Sequence, residues 1–114
     1  DGDRLIISNG GCEYYVLTFR FETSRFEADT TDLNFWSSRI VELMNGVTDG
    51  IDAPTDIKKA TSILRRHIEA EQIQLYDEIT FEPGEIRGYI TIDRIQKVDN
   101  KRYGLEISYI VGPL

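Results

Sequence analysis

The clearest pattern in the chain is an alternation of apolar and polar residues within the segment from Cys12 to Thr23. A period of two places successive side chains on opposite faces of a β-strand. The alternating residues are apolar Tyr15, Leu17, Phe19 and Phe21, and polar Thr18, Arg20 and Glu22. The segment therefore predicts a central strand with one buried face, and it leaves open what the polar face contacts.

A second strand is predicted immediately before it. The segment from Arg4 to Ser8 contains three consecutive large apolar residues and is followed by Asn9-Gly10-Gly11. Asn-Gly readily adopts the positive φ angles of tight hairpin turns. We therefore expect the two strands to pair antiparallel, with the first strand at or near an edge of the sheet.

Helical periodicity follows in the middle of the chain. From Leu33 to Val47 the apolar residues recur at three- and four-residue steps, after the cap-like sequence Thr30-Thr31-Asp32. Gly46 occupies a position typical of a C-terminal cap. Pro54-Thr55-Asp56 opens a second amphipathic segment. The basic residues of that segment are Lys58, Lys59, Arg65 and Arg66.

The period of two returns after Ile73, in three segments separated by Pro83-Gly84 and Asp99-Asn100. The resulting order is β-β-α-α-β-β-β. It contains no strand–helix–strand alternation, so it does not require parallel pairing. The sequence predicts an α+β fold: a five-stranded, mostly antiparallel sheet with two helices packed on one face.

The size and composition of the chain indicate one ordinary globular domain. The 114 residues have the common length of a single domain, so residues 1–114 are interpreted as one α+β unit. No apolar stretch approaches the roughly 20 residues of a membrane span. The chain begins at Asp1 without methionine, which suggests a processed or trimmed start. A removed leader stays open, and the compartment is left undetermined, with the cytoplasm slightly favoured.

The charge balance predicts the class of partner. With 13 basic and 20 acidic side chains, the formal net charge is −7. Such a molecule repels phosphate backbones and anionic headgroups, so we expect no nucleic acid and no membrane partner. A basic protein partner would be attracted instead. The alternative explanation of the charge is solubility alone.

Residues suited to catalysis or metal binding are sparse. His67 is the sole histidine and Cys12 the sole cysteine, so the sequence offers no imidazole or thiolate cluster and no internal disulfide. The loop with Asp49, Asp52 and Asp56 lacks the spacing of a calcium loop. We therefore predict no enzyme, no metal and no cofactor, although a pair of convergent carboxylates is an alternative that sequence does not test.

The remaining candidate site is the sheet face that points away from the helices. Tyrosine supplies large contact area at low entropy cost, and this face combines tyrosines with more acids than bases. Its predicted residues are Tyr14, Arg20, Glu22, Tyr76, Glu78, Glu82, Arg87, Tyr89 and Asp93. The competing interpretation is a solvated face on which tyrosine simply suits a strand.

Two hypotheses of function follow. An acidic single α+β domain without a catalytic motif is similar in character to the small immunity proteins that neutralise bacterial toxins. The first hypothesis is accordingly a non-catalytic domain that masks a basic protein partner, through the sheet face or the Asp49–Asp56 loop. The second is an accessory or ligand-binding domain of a larger, envelope-associated protein, with a pocket between sheet and helices. The oligomeric state is not predicted.

Overall fold

A computed structural model of the chain describes residues 4–10, 14–47, 57–70, 73–84 and 87–112. The predicted α+β class and element order are confirmed. The elements are β1 (Arg4–Gly10), β2 (Tyr15–Thr23), α1 (Leu33–Val47), α2 (Ile57–Glu69), β3 (Ile79–Glu82), β4 (Arg87–Lys97) and β5 (Tyr103–Gly112).

The five strands form one sheet in the order β1-β2-β5-β4-β3. This order puts β5 at the centre and β1 and β3 at the edges. Every neighbouring pair is antiparallel. Phe19 of β2 lies opposite Ile107 of β5 and Ile7 of β1. Because directly opposite residues share a face of the sheet, this register assigns each strand position to one of the two faces.

The core lies between one face of the sheet and the two helices. On β2 the odd positions are the buried ones, as the alternation predicts, and Phe19 meets Tyr109 edge to face with ring centroids 5.7 Å apart. The helix residues buried against this face include Trp36, Ile40 and Met44 of α1 and Ala60, Leu64 and Ile68 of α2. Burial of large side chains from both layers is the main stabilising term of such a fold.

A buried hydrogen-bond chain fixes α2 to the centre of the sheet. The Thr61 hydroxyl donates to the Ile57 carbonyl oxygen at 2.7 Å, and it lies 2.8 Å from the Tyr109 hydroxyl. Since the single Thr61 proton is used on Ile57, Tyr109 is the donor in the second bond. Burial raises the pKa of Tyr109 above its ordinary value, so this hydroxyl keeps its proton in the folded state.

The start of α1 is the cap that the sequence predicts. The Asp32 carboxylate accepts a hydrogen bond from the Phe35 N–H at 3.2 Å, and the Asp32 carbonyl accepts one from the Trp36 N–H at 3.1 Å. The predicted C-terminal cap is wrong, because α1 continues through Gly46 to Val47. Val47 packs against the core, and this contact extends the helix past the glycine.

Two predicted strand boundaries also differ. β1 continues to Gly10, which pairs with Val16, so Asn9-Gly10 belongs to the strand and not to the turn. Leu75 lies in a turn and is 41% exposed, and β3 begins only at Ile79. The predicted start of α2 at residues 54–56 and the strand start at Cys12 lie outside the described residues.

Replacing Ser37 with alanine is expected to raise the free energy of unfolding by about 1 kcal/mol. The Ser37 hydroxyl is buried in α1 and, among the described residues, finds no hydrogen-bond partner. Alanine removes that penalty and favours the helix. Urea denaturation would measure the change, with Ser38→Ala as control, because the Ser38 hydroxyl already donates to the Asn34 carbonyl at 2.9 Å. A loss of stability in Ser37→Ala would contradict the assignment.

Candidate binding surface

The candidate site is the sheet face opposite the helices, which we call the open face. It comprises the even positions of β2 and the residues across from them, such as Thr18 opposite Ser108 and Arg20 opposite Glu106. Both helices pack on the other face, so the described part of the chain leaves the open face to solvent. Three groups of side chains occupy it.

The first group is an ion-pair cluster on β2, β4 and β5. The Arg20 guanidinium lies 2.8 Å from Glu106 and 3.4 Å from Glu22, and Arg94 lies 3.6 Å from Glu106. Two arginines and two glutamates therefore compensate one another. These carboxylates are already paired and offer a partner little uncompensated negative charge.

The second group is a network of hydroxyls around Asp93. The Asp93 carboxylate accepts hydrogen bonds from Thr91 at 2.7 Å and from Ser108 at 2.5 Å. Since the Ser108 proton is used on Asp93, Thr18 donates to Ser108 at 2.9 Å. Thr91 and Ser108 are buried. Asp93, a predicted contact residue, therefore ties β4 to β5 from within the sheet.

The third group is the tyrosine patch, defined as Tyr14, Val16, Tyr89 and Ile110. Tyr89 lies opposite Ile110, which lies opposite Val16 on β2. Burial raises the pKa of Tyr89, and the nearby charges of Glu78 and Tyr14 raise it further. Tyr14 immediately precedes β2, and continued alternation places it on the same face as Val16.

Arg87 and Glu78 border the tyrosine patch. The Arg87 guanidinium lies over the Tyr89 ring, 5.0 Å from its centroid, and 3.6 Å from the Glu78 carboxylate. A cation held against an aromatic face and paired with a carboxylate restricts both side chains. The tyrosine patch thus has a half-buried apolar centre, and the charged residues at its border, Arg87 and Glu78, are paired with each other.

Most of the predicted site residues meet on the open face. Arg20, Glu22 and Asp93 belong to its first two groups, and Tyr14, Glu78, Arg87 and Tyr89 belong to the tyrosine patch or its border. Sequence reasoning missed Val16 and Ile110. The signal was present, since both are apolar residues at positions where the alternation calls for polar ones.

The structure does not bring Tyr76 into these groups, and the side chain of Glu82 lies outside the part of the chain that it describes. Tyr76 lies in the turn before β3, with its side chain 68% exposed and a φ of 68° that a residue other than glycine rarely adopts. Its N–H donates to the Ile92 carbonyl at 2.9 Å. Glu82 pairs with Gly88 through its backbone, after a bulge in β3. The Asp49–Asp56 loop lies outside the described residues.

A bulge changes the charge of the open face. The register of β4 shifts between Ile92 and Arg94, and the shift brings Arg94 opposite Glu106 on the open face. Strict alternation from Thr91 would have directed Arg94 toward the helices. The described charged residues of this face are Arg4, Arg20, Arg87 and Arg94, with Glu22, Glu78, Asp93 and Glu106. The described charges of the open face are therefore balanced.

The negative charge of the chain resides elsewhere. All 13 basic side chains and 12 of the 20 acidic ones lie in the described residues. The other eight acids lie in residues 1–3, 11–13, 48–56, 71–72 and 85–86, which contain no lysine or arginine. The net charge of −7 thus comes from the segments that border the described elements in sequence.

A groove separates β1 from the C-terminal end of α1. Its cavity volume is about 370 Å³, and Leu5, Phe21 and Leu43 supply apolar walls. Arg4 and Arg25 supply cations to the same groove, and Glu22 and Glu42 supply carboxylates. We call it the β1–α1 groove. It is the cavity that bears on the ligand-binding alternative.

We next consider the residues that could serve in nucleophilic catalysis or in metal binding. His67 is half-buried on α2, and its Nδ1 lies 3.1 Å from the Ile63 carbonyl oxygen. Cys12 lies outside the described residues. Within the described ranges, no three histidine, cysteine or carboxylate side chains are placed to hold a metal ion.

Among the helices of the described ranges, none has the length and apolar character needed to span a bilayer.

Comparison with known proteins adds no further constraint on the site. No protein-family model, curated protein sequence or solved structure matches this chain.

Proposed function

We propose that this chain is a non-catalytic domain that masks a basic protein partner, in the manner of an immunity protein that neutralises a bacterial toxin, and that it binds through the tyrosine patch. The patch supports this proposal because an apolar centre surrounded by satisfied polar groups is the usual anatomy of a protein interface. Tyrosine and arginine, which occupy it here, are the residue types that most often dominate binding energy.

Contact and attraction have separate sources in this proposal. The tyrosine patch and its border supply the contact, and the acid excess in the segments between the described elements supplies long-range attraction to a positive partner. Charge that lies outside a contact surface acts mainly on the association rate. The single observation that carries the proposal is the half-buried Tyr89, which is stacked by Arg87 and lies opposite Ile110 on the open face.

The contact can be tested by photo-crosslinking inside the source cells. A photoreactive amino acid at position 89 is expected to capture one basic protein, which mass spectrometry identifies. The same group at position 62, where exposed Ser62 lies on α2, is the control for the opposite side of the molecule. Equal capture from both positions, or capture of an acidic protein from position 89, would contradict the proposal.

A second candidate is the ligand-binding accessory domain, and the β1–α1 groove favours it. Its volume of about 370 Å³ falls within the usual range for small-molecule pockets, about 300–1,000 Å³. Apolar walls bordered by charged side chains of both signs suit an amphipathic ligand. Saturable binding of a fatty acid, lost in Leu43→Arg but kept in Tyr89→Ala, would support this candidate over the first.

Reversing the charge of Glu78 is expected to slow association with the basic partner several-fold at low salt. Glu42→Lys is a closely matched control: Glu42 is 53% exposed against 54% for Glu78, and each pairs with one arginine, at 4.0 and 3.6 Å respectively. Both changes alter the net charge equally and so weaken the long-range attraction equally, but only Glu78→Lys also places a cation at the border of the contact, so it should slow association more than Glu42→Lys. Stopped-flow or surface-plasmon measurement of the association rate separates them, and equal slowing by both would mean that the open face is not the contact.

A further inference from the structure

The edge strand β1 is exposed along its whole length. All seven residues of the strand are exposed, including Leu5 at 37%, Ile6 at 38% and Ile7 at 46%. No other strand of the described sheet has this pattern. Leu5 and Ile7 lie on the helix-side face and Ile6 lies on the open face, so the edge strand carries partly exposed apolar side chains on both faces of the sheet.

The width of the helical layer explains this exposure. An α-helix with its side chains is about 10 Å wide, and neighbouring strands lie about 4.8 Å apart. Two helices side by side therefore cover about four strands. β1, the fifth, lies at the margin of this layer. Leu5 on its helix-side face lines the β1–α1 groove, and Ile7 on the same face is 46% exposed.

The outer edge of β1 also lacks the usual protection against pairing. A free edge presents unpaired N–H and C=O groups, and proteins usually block it with lysine, proline, a bulge or an inward charge. Described β1 contains no lysine or proline, and its register with β2 is regular from Arg4 to Gly10. Its one charged residue, Arg4, stands at the start of the strand.

We propose that β1 pairs antiparallel with β1 of a second copy of this chain, about a two-fold axis at Ile6. The sequence of the strand is self-complementary in that register. Leu5 meets the partner's Ile7 on the helix-side face, Ile6 meets the partner's Ile6 on the open face, and Arg4 meets the partner's Ser8. Every large apolar side chain of the strand thus faces another, and no like charges face each other.

The resulting dimer has one continuous ten-stranded sheet. Its four helices lie on one side, and the two open faces join on the other, which leaves both tyrosine patches exposed. A single strand pair buries less surface than the roughly 1,600 Å² of a standard interface, so we expect a weak dimer that forms only at high protein concentration. This proposal does not depend on the proposed function.

Sedimentation equilibrium over a wide concentration range tests the association. Because each copy carries a net charge of −7, salt that screens their repulsion should strengthen the dimer several-fold between about 50 and 300 mM. Binding of a basic partner should weaken over the same range, so the two proposals fail independently. A chain that stays monomeric up to about 1 mM, or that dimerises more weakly with salt, overturns the pairing.

Engineered cysteines test the register. In a Cys12→Ser background, Ile6→Cys places two thiols on facing residues, with Cα atoms about 4.5–5.5 Å apart, inside the disulfide range. Ser8→Cys is the matched control on the same face, because its two copies lie roughly 13 Å apart in the proposed register. Mild oxidation should cross-link the first variant and not the second. Equal cross-linking of both, or none of either, overturns the register.

Two variants of opposite charge at Ile6 test the position of the two-fold axis. Ile6→Glu faces Arg20 of β2 within its own chain, so we expect it to fold, while two such glutamates repel across the axis. Ile6→Glu and Ile6→Lys should each be monomeric, and their equimolar mixture should recover the dimer. Failure of the mixture to associate, with both variants folded by circular dichroism, contradicts the two-fold axis at Ile6.

Discussion

Replacing Trp36 with alanine is expected to lower the free energy of unfolding by about 4 kcal/mol. Trp36 is fully buried in α1. Its ring contacts Tyr103 and Phe35, with centroids 4.6 and 5.1 Å away, and its indole N–H donates to the Asp29 carbonyl at 2.9 Å. Alanine leaves a large cavity and removes the indole donor, and a small domain has only about 5–15 kcal/mol of total stability.

Urea denaturation followed by far-UV circular dichroism measures this loss, because the variant lacks the only tryptophan and its fluorescence. Trp36→Phe keeps much of the volume and should lose about 1–2 kcal/mol. Phe35→Ala, at a neighbouring half-buried ring, should also cost about 1–2 kcal/mol, since much of that ring already lies in water. A loss below about 1 kcal/mol for Trp36→Ala would mean that the helix is not seated on the sheet as described.

The importance of Trp36 illustrates which parts of the fold the sequence could predict. The four-residue step from Trp36 to Ile40 predicted the buried face of α1. The alternation through Phe19 predicted the buried face of β2, so both layers and the faces that meet could be assigned. Element ends were less predictable. Gly46 carries a local signal for stopping a helix, but the tertiary contact of Val47 with the core overrides it.

The candidate site was predictable in its residues and not in its electrostatics. Alternation identified which positions of β2 share the open face, because register follows from a buried opposite side. The bulge beside Asp93 has no local sequence signal, and it moves Arg94 onto the open face. The bulge therefore adds one cation to a face that the sequence predicted to be acidic, and Arg4, opposite Glu22 at the start of β1, adds another.

The same bulge underlies the second large effect, which concerns Asp93. Asp93→Ala is expected to lower the free energy of unfolding by about 2–3 kcal/mol, because two charge-assisted hydrogen bonds are lost at once. The hydroxyls of Thr91 and Ser108, only 7% and 5% exposed, lose their carboxylate acceptor. Asp93→Asn keeps an acceptor oxygen without the charge and should cost about half as much.

Comparison with Glu78 separates the structural role of Asp93 from a role in binding. Glu78→Ala removes one exposed ion pair with Arg87 and should change stability by less than about 1 kcal/mol. Urea denaturation measures the stability of each variant, and association kinetics below the unfolding transition measure binding. Asp93→Ala should alter the first quantity and Glu78→Lys the second. If Asp93→Ala instead kept full stability and slowed association, Asp93 would be a contact residue, and the hydroxyl network would not be what joins β4 to β5.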